Sequence, residues 1–275
     1  MSKLYIVGTP IGNLGDFSPR AVETLDKVDF IAAEDTRVTL RLLNHFGIKK
    51  SMVSYFEHNK HERGEMITAR ILDGENCALV TDAGMPAISD PGEDLVRMCH
   101  EKGIEVESVP GPCAFTTALA LSGFPSGRFT FEGFLSVNKP SRREHLQSLE
   151  NETRTMLFYE APHKLGATLK DMNKVFGNRE IAIVREITKI HEEVIRTTLD
   201  EAVEKYADGS VKGEIVLVIK GVEKNDTEEK MTLEQAVECA RQSVENGMSV
   251  SEASKQVAKL SGLKKGDIYK KLIEE

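Results

Sequence analysis

Three loops rich in glycine and proline, and four charged clusters, hold the groups of this sequence that can do chemistry. The first loop, Val7-Gly8-Thr9-Pro10-Ile11-Gly12-Asn13-Leu14-Gly15-Asp16, directly follows an apolar run. Glycines there let a ligand approach the main chain, as nucleotide-type ligands do at strand ends of open α/β sheets. Its spacing is Gly-x3-Gly-x2-Gly, and Pro10 removes a donor and stiffens the turn. Dinucleotide binding is therefore disfavoured, and a plain tight turn remains the alternative. The second loop, Thr81 through Asp82, Ala83, Gly84 and Met85 to Asp90, Pro91 and Gly92, is longer than the roughly 2 to 6 residues of an ordinary strand-to-helix connection. Asp82 can accept hydrogen bonds from a ribose or an amino group, or close an Asx-turn. The third, Val109-Pro110-Gly111-Pro112-Cys113-Ala114, offers small residues at Cys113 and Ala114 against which a flat adenine-like group can lie. A nucleophilic thiol at Cys113 is the sharper alternative, with no histidine near it in sequence.

Three charged clusters follow apolar runs: Glu34-Asp35-Thr36-Arg37, Tyr159-Glu160-Ala161-Pro162-His163-Lys164 and Arg185-Glu186-Ile187-Thr188-Lys189. Carboxyl ends of strands are where α/β enzymes place reactive groups, although a helix cap or an ion pair explains each cluster equally well. In Glu57-His58-Asn59-Lys60-His61-Glu62 the two histidines lie three apart, but no HExxH pattern or third ligand accompanies them. A polar loop or a helix start is the reading for this stretch, which can also help bind substrate.

Short apolar runs at 4–7, 30–33, 52–55, 78–80, 104–109, 129–134, 156–159, 181–184 and 215–219 alternate with helical periodicity, the pattern of βα units and a mostly parallel sheet. Ser18 before Pro19 predicts a helix start, and Gly47 a helix end after 36–46. SGFPSGR around Gly123 reads as a linker, which predicts an N-terminal α/β domain over 1–123 and a second over 124–221. In the second, HEEVIRTT at 191–198 is expected to form an antiparallel strand beside 181–184. Residues 222–275 are expected to form a helical C-terminal segment, its helical periodicity following the polar stretch 222–230. Lysines 255, 259, 264, 265, 270 and 271 face only Glu252 and Asp267 between 247 and 273, a local +4. Two short helices separated by Gly262 and Gly266 would suit an RNA-binding appendage, and solvated lysines on a small bundle would look the same.

At 275 residues with 40% hydrophobic and 29% charged content, the chain is expected to fold as one large domain or two ordinary ones. A net charge of −8 argues against indiscriminate coating of nucleic acid. No apolar run is long enough to span a bilayer, and the start shows no signal-peptide pattern, so a cytoplasmic location without membrane partners is expected. Cys77, Cys99, Cys113 and Cys239 form no CxxC pair and read as reduced packing residues.

Taken together, VGTPIGNLGD, AEDTR, SYFEHN, TDAGMPAISDPG, VPGPCA, FYEAPHK, REITKIHEE and KGEIVLVIKG resemble the ribosomal RNA small subunit methyltransferase I family of the tetrapyrrole-methylase superfamily, over about residues 3–221. The resemblance implies two α/β domains of tetrapyrrole-methylase type with the donor cleft between them, plus a small C-terminal helical segment. It implies S-adenosylmethionine as methyl donor, the ribose 2′-oxygen of a cytidine in the decoding region of 16S ribosomal RNA as acceptor, work within the small ribosomal subunit, and a homodimer. By motif matching, Ile11, Asp82, Ala83, Gly84, Pro112, Cys113, Ala114, Tyr159 and Arg185 fall at donor-binding positions, and Glu160 at a cleft-facing one. The wider superfamily carries Gly-x-Gly-Pro-Gly-Asp and Gly-Asp-Pro loops. Pro10, Ile11 and Asn13 depart from the first and Asp82-Ala83-Gly84 from the second, in the manner of the ribosomal RNA branch.

Methyl transfer to a hydroxyl is an in-line displacement that needs alignment and a base, with neither metal nor covalent intermediate required. The candidate bases are Lys189 and Glu186, then Glu160. Arg37 can hold phosphates flanking the target, as can Arg185. His58 and Asn59 can hydrogen-bond a splayed-out nucleotide, and Arg142 and Arg143, with Lys139, can supply positive potential. The competing classes are a small-tetrapyrrole methyltransferase on the same scaffold and a noncatalytic RNA-binding assembly factor.

Overall fold

Runs such as Phe-Ile-Ala-Ala and Cys-Ala-Leu-Val have no polar face because helices cover both sides of the sheet that holds them. In the computed structural model, which describes residues 2–207, 211–223 and 231–274, the chain divides after Val222 into two compact units. Within the first unit, Lys3–Val7 (β1), Phe30–Ala33 (β2), Ser51–Ser54 (β3), Cys77–Val80 (β4) and Glu105–Val109 (β5) form an all-parallel sheet in the order β3-β2-β4-β1-β5. Alternate side chains sort to opposite faces. Ile31, Ala33, Ala78 and Val80 pack with Leu25 of Pro19–Lys27 (α1) and Leu43 of Thr36–His45 (α2). Phe30, Ala32, Cys77 and Leu79 pack with Ile67 and Ile71 of Lys60–Leu72 (α3) and Leu95 of Gly92–Glu101 (α4). Ser18 caps α1 as expected, its hydroxyl accepting from the Ala21 N–H, and Gly47 takes the left-handed conformation (φ 71°) after α2.

Ala114–Ser122 (α5) precedes Gly123 in sequence, and its Ala118 and Leu119 are buried against the second sheet. That sheet comprises Phe129–Phe134 (β6), Thr155–Glu160 (β7), Glu180–Arg185 (β8), Glu193–Thr198 (β9) and Ile215–Ile219 (β10), in the order β6-β7-β10-β8-β9. The strand expected within 191–198 is β9, antiparallel to β8. The expectation of mostly parallel pairing holds for the first sheet and fails here. Only β6 and β7 pair in parallel, because β10 lies antiparallel between β7 and β8, and β9 is antiparallel to β8. The face of this sheet away from α5 is covered by Lys139–Ser148 (α6), Leu165–Phe176 (α7) and Leu199–Lys205 (α8), around Phe158, Leu217 and Ile183.

The second unit holds three helices, Leu233–Glu245 (α9), Val250–Ser261 (α10) and Lys265–Glu274 (α11), around Ala236, Ala240, Val257 and Ile268. Thr232 and Gln235 form a reciprocal capping box at the start of α9. Gly262 ends α10 in the left-handed conformation (φ 71°), but Gly266 lies inside the first turn of α11 and not between the helices. A glycine is tolerated in a first turn, so its composition alone misplaced the boundary. Of the polar stretch 222–230, residues 224–230 lie outside the described residues. No described helix is long and apolar enough to cross a membrane.

Candidate active site

The carboxyl ends of five parallel strands put the loops after β1, β2, β3, β4 and β5 at one edge of the first sheet. The glycine loops brace one another there. Thr9 N–H donates to the Gly84 carbonyl at 2.9 Å and Gly84 N–H to the Thr9 carbonyl at 3.2 Å, while Gly8 N–H donates to the Val109 carbonyl at 3.0 Å. Gly84 has φ 91°, and a Cβ there would come within 3.3 Å of Ile11 Cγ2. Gly8 and Gly111 pass so closely that a Cβ on Gly8 would lie 2.7 Å from the Gly111 Cα.

Above these loops, the ends of β7 and β10 in the second sheet close a cavity of about 420 Å³. Ile11, Met85, Ile88, Phe134, Tyr159, Ile187 and Val216 supply apolar wall, and Glu34, Asp82, Ser89, Asp90 and Glu214 supply polar groups. That size and mixture suit a folded nucleoside bearing a thioether and an amino-acid end. Tyr159 packs edge-on against Phe131 and tilted against Phe134, with ring centroids 5.0 and 5.4 Å away. Burial, then the Cys113 thiol, pushes its phenol up to about 12, so it remains a neutral hydrogen-bonding wall.

Of the donor-binding candidates, Ile11, Asp82, Ala83, Gly84, Cys113, Ala114 and Tyr159 line this cavity. Pro112 lies just behind, its carbonyl 3.4 Å from where a Gly84 Cβ would stand. Arg185 is directed elsewhere, to Glu193 at 2.8 Å and the Lys212 carbonyl at 3.2 Å. Among the candidate bases only Glu160 lines the cavity, and both its oxygens are engaged, by the Ala161 N–H at 2.7 Å and the Thr168 hydroxyl at 2.5 Å. Lys189 ion-pairs with Glu186 at 2.9 Å and Glu214 at 3.3 Å. Burial opposes its charge, but the two carboxylates outweigh burial and raise its pKa, so it stays protonated at neutral pH. Lys189 and Glu186 thus hold the loop after β8 against Gly12, where the Lys189 chain closes the space a Cβ would need.

A groove lined by Phe56, Glu57, His58, Ile88, Ser89, Asp90, Pro91 and Glu34 adjoins the cavity, sharing Glu34, Ile88, Ser89 and Asp90 with it. His58 therefore faces ligand space. Asn59 does not contribute its amide, which accepts from Phe56 N–H at 2.8 Å and donates to the Ser54 carbonyl at 3.1 Å. Arg37 is exposed and clamps Asp35, holding that carboxyl down to about 2. Arg142 is half-buried and paired with Asp171 at 2.5 Å, while Arg143 beside it is exposed. Among the described residues, no group of three or more histidine, cysteine or acidic side chains could hold a metal. All four cysteines are free, Cys77 and Cys99 buried.

Sequence reasoning missed Glu34, Ser89, Asp90, Phe134 and Glu214 as lining residues. Glu34 carried a readable signal, since it stands immediately after β2 in an already suspected cluster. Phe134 and Glu214 carried none, because their approach depends on how the second sheet meets the first. Burial, then the neighbouring Glu34 charge, raises the Asp82 pKa, and burial raises that of Asp90 against the N–H groups of Ala87 and Gly92. The native Asp82 carboxyl binds its proton more tightly than in the unfolded chain, so its contribution to stability falls as pH rises from the unfolded carboxylate range through the raised value. Asp82→Asn keeps an acceptor for the Asp35 N–H and removes the charge. We expect this variant to melt about 1 to 2 °C above the parent at pH 7, with the gap closing toward pH 4, by scanning calorimetry.

The tetrapyrrole (corrin/porphyrin) methylase family pattern matches residues 3–203. Ribosomal RNA small subunit methyltransferase I of Synechocystis is 46% identical over 275 residues, covering 100% of this chain and 98% of the relative. The protein of that name from Thermotoga maritima is 49% identical over 223 residues, covering 81% of this chain and 100% of the relative. Among solved structures, the methyltransferase CobJ overlays with a TM-score of 0.62 at 16% identity, covering 81% of this chain and 95% of the other. Uroporphyrin-III C-methyltransferase from Thermus thermophilus, complexed with S-adenosylhomocysteine, overlays with a TM-score of 0.56 at 17% identity, covering 80% and 97%.

Proposed function

The chain belongs to the tetrapyrrole (corrin/porphyrin) methylase family and, within it, to the ribosomal RNA small subunit methyltransferase I proteins, and from that premise we propose that it methylates the ribose 2′-oxygen of a cytidine in the decoding region of 16S ribosomal RNA. The observation that carries the reading is a likeness of 41–46% identity, over nearly the whole chain, to relatives that bear that name. Enzymes of this family use S-adenosylmethionine, which supplies an electrophilic methyl group when bound. The cavity fits that donor, because Gly8, Gly84 and Gly111 keep the loops open to backbone contact beside an apolar wall.

This chain's own residues have three tasks. The braced loops after β1, β4 and β5 orient the donor, with Asp82 and the backbone of Ala83 and Gly84 toward its polar ends. Ile11, Ile88, Ile187 and Phe134 exclude water, which strengthens every electrostatic contact inside. The groove beside Phe56 and His58 receives the acceptor nucleotide, splayed out so that its base stacks on an aromatic ring. Arg37, Arg143 and the exposed lysines 255, 259 and 264 of the helical unit add phosphate contacts despite the overall −8. The protein works in the cytoplasm on the small ribosomal subunit, as a homodimer.

Mapping ribose methylation on ribosomal RNA from cells with and without this protein tests the reading: a single cytidine loses its mark. Methyl incorporation into a porphyrin or corrin, with RNA unlabelled, would favour the tetrapyrrole alternative. Arg143→Ala is expected to weaken RNA binding and to shrink the slope of log affinity against log salt by about 1 or less. Arg142→Ala instead removes the Asp171 partner and is expected to cost about 1–2 kcal/mol of stability with unaltered salt dependence. Filter binding across a salt series and urea melts separate the two arginines.

A further inference from the structure

We propose that Glu34 is the base that takes the proton from the acceptor hydroxyl. This rests on the reading above that the acceptor is a sugar alcohol. Glu34 lines both the donor cavity and the adjoining groove, so it stands where their two occupants must meet. Its Oε2 is held by the Thr81 hydroxyl at 2.5 Å, with the Asp82 N–H at 3.4 Å. Its Oε1 has no hydrogen-bond partner among the described residues. One oxygen anchored and the other open is the geometry a proton acceptor needs: the carboxylate is positioned, and a lone pair is left to receive.

The other carboxylates at the cavity are less suited, Glu214 being paired with the Lys189 ammonium at 3.3 Å. Glu160 has both oxygens engaged. Asp82 lines the cavity and the Gly12 side of the loops, away from the His58 groove. Asp90 shares the junction with Glu34 and likewise leaves one oxygen open, but its Oδ1 accepts from two backbone groups, Ala87 N–H at 3.0 Å and Gly92 N–H at 2.8 Å. Those bonds hold the turn around Ala87, whose φ is 65°, so Asp90 maintains the loop.

In the step, the hydroxyl oxygen bonds to the methyl carbon as the carbon–sulfur bond breaks, its electron pair passing to sulfur and cancelling the sulfonium charge. The hydroxyl proton moves to Glu34 Oε1, and the resulting carboxylic acid releases it to water after products leave. The charge count balances: a cationic donor and a carboxylate become a neutral thioether and a neutral acid.

The test compares Glu34→Gln and Asp90→Asn with the unsubstituted protein, using small ribosomal subunits from cells that lack the mark. Single-turnover rates from pH 6 to 9 are read alongside calorimetric affinity for both S-adenosylmethionine and S-adenosylhomocysteine. Glu34→Gln is expected to lose about 10²- to 10⁴-fold in rate at pH 7, with a residual rate that climbs with pH, while both affinities stay within about threefold. Asp90→Asn is expected to lose affinity for both compounds. A rate for Glu34→Gln within fivefold of the parent would overturn the assignment. So would a selective loss of S-adenosylmethionine affinity that accounts for the rate, because Glu34 would then be a partner of the sulfonium charge. If the functional reading itself is wrong, the unsubstituted protein labels no ribosomal RNA at all, and the assignment of Glu34 falls with it.

Discussion

Gly8→Ala is expected to weaken S-adenosylhomocysteine binding about 100-fold, from the addition of a single methyl group. The new Cβ would lie 2.7 Å from both Cα and N of Gly111 and 2.8 Å from Met85 Sδ. The methionine can swing aside, but the Gly111 backbone is pinned between β5 and α5. Relief therefore requires the loops after β1 and β5 to part, and those loops are two of the three that shape the donor cavity. A misplacement of about 1 Å at a positioning site can cost about two orders of magnitude in rate, and a comparable loss is expected here in binding. The overpacking should also remove about 1–3 kcal/mol of stability. Calorimetric titration checks the affinity, and a urea melt shows that the variant still folds. Affinity within threefold of the parent would mean that the two backbones are free to separate.

Phe158→Ala is expected to cost about 3–5 kcal/mol, a large part of the roughly 5–15 kcal/mol that stabilises a typical domain. Phe158 lies on β7 with no exposed surface, in the cluster with Met156, Leu165, Leu169, Ile183 and Leu217. Its partner in register is Leu217 on the central β10, so the void opens where two strands and α7 converge. Phe158→Leu, which leaves a smaller cavity, should lose markedly less. Denaturant midpoints for the pair give the comparison, and equal losses would show that the site collapses around either side chain.

Local signals in the sequence were enough to place many elements. Ser18 and Pro19 marked the start of α1, Gly47 the end of α2, and each apolar run became a strand with its ends unchanged or shifted by one residue. Pairing in the second sheet was not legible. Nothing local to residues 215–219 says that they will insert between strands whose paired residues lie 55 to 63 and 30 to 38 positions earlier, since hydrogen-bond partners across a sheet leave no periodicity in either strand. At the site, motif matching led to Ile11, Asp82, Cys113 and Tyr159, all of which line the cavity. It misread Lys189, whose type suits a base, because the sequence does not show Glu186 and Glu214 converging on its ammonium. It passed over Glu34 for the corresponding reason. The value of that carboxylate comes from standing where cavity and groove join, and only the folded chain has such a place.

The position of β10 also bears on how the polypeptide matures during translation. Every strand of the first sheet has emerged by residue 109, so that lobe can complete its hydrogen bonding while synthesis continues. The second sheet receives its middle member last, at Ile215–Ile219, and until then β7 and β8 present bare apolar edges toward the same gap. A nascent chain stalled between residues 185 and 215 would carry one finished lobe and one adhesive half. Chaperone engagement and aggregation of truncated products should therefore concentrate in that window.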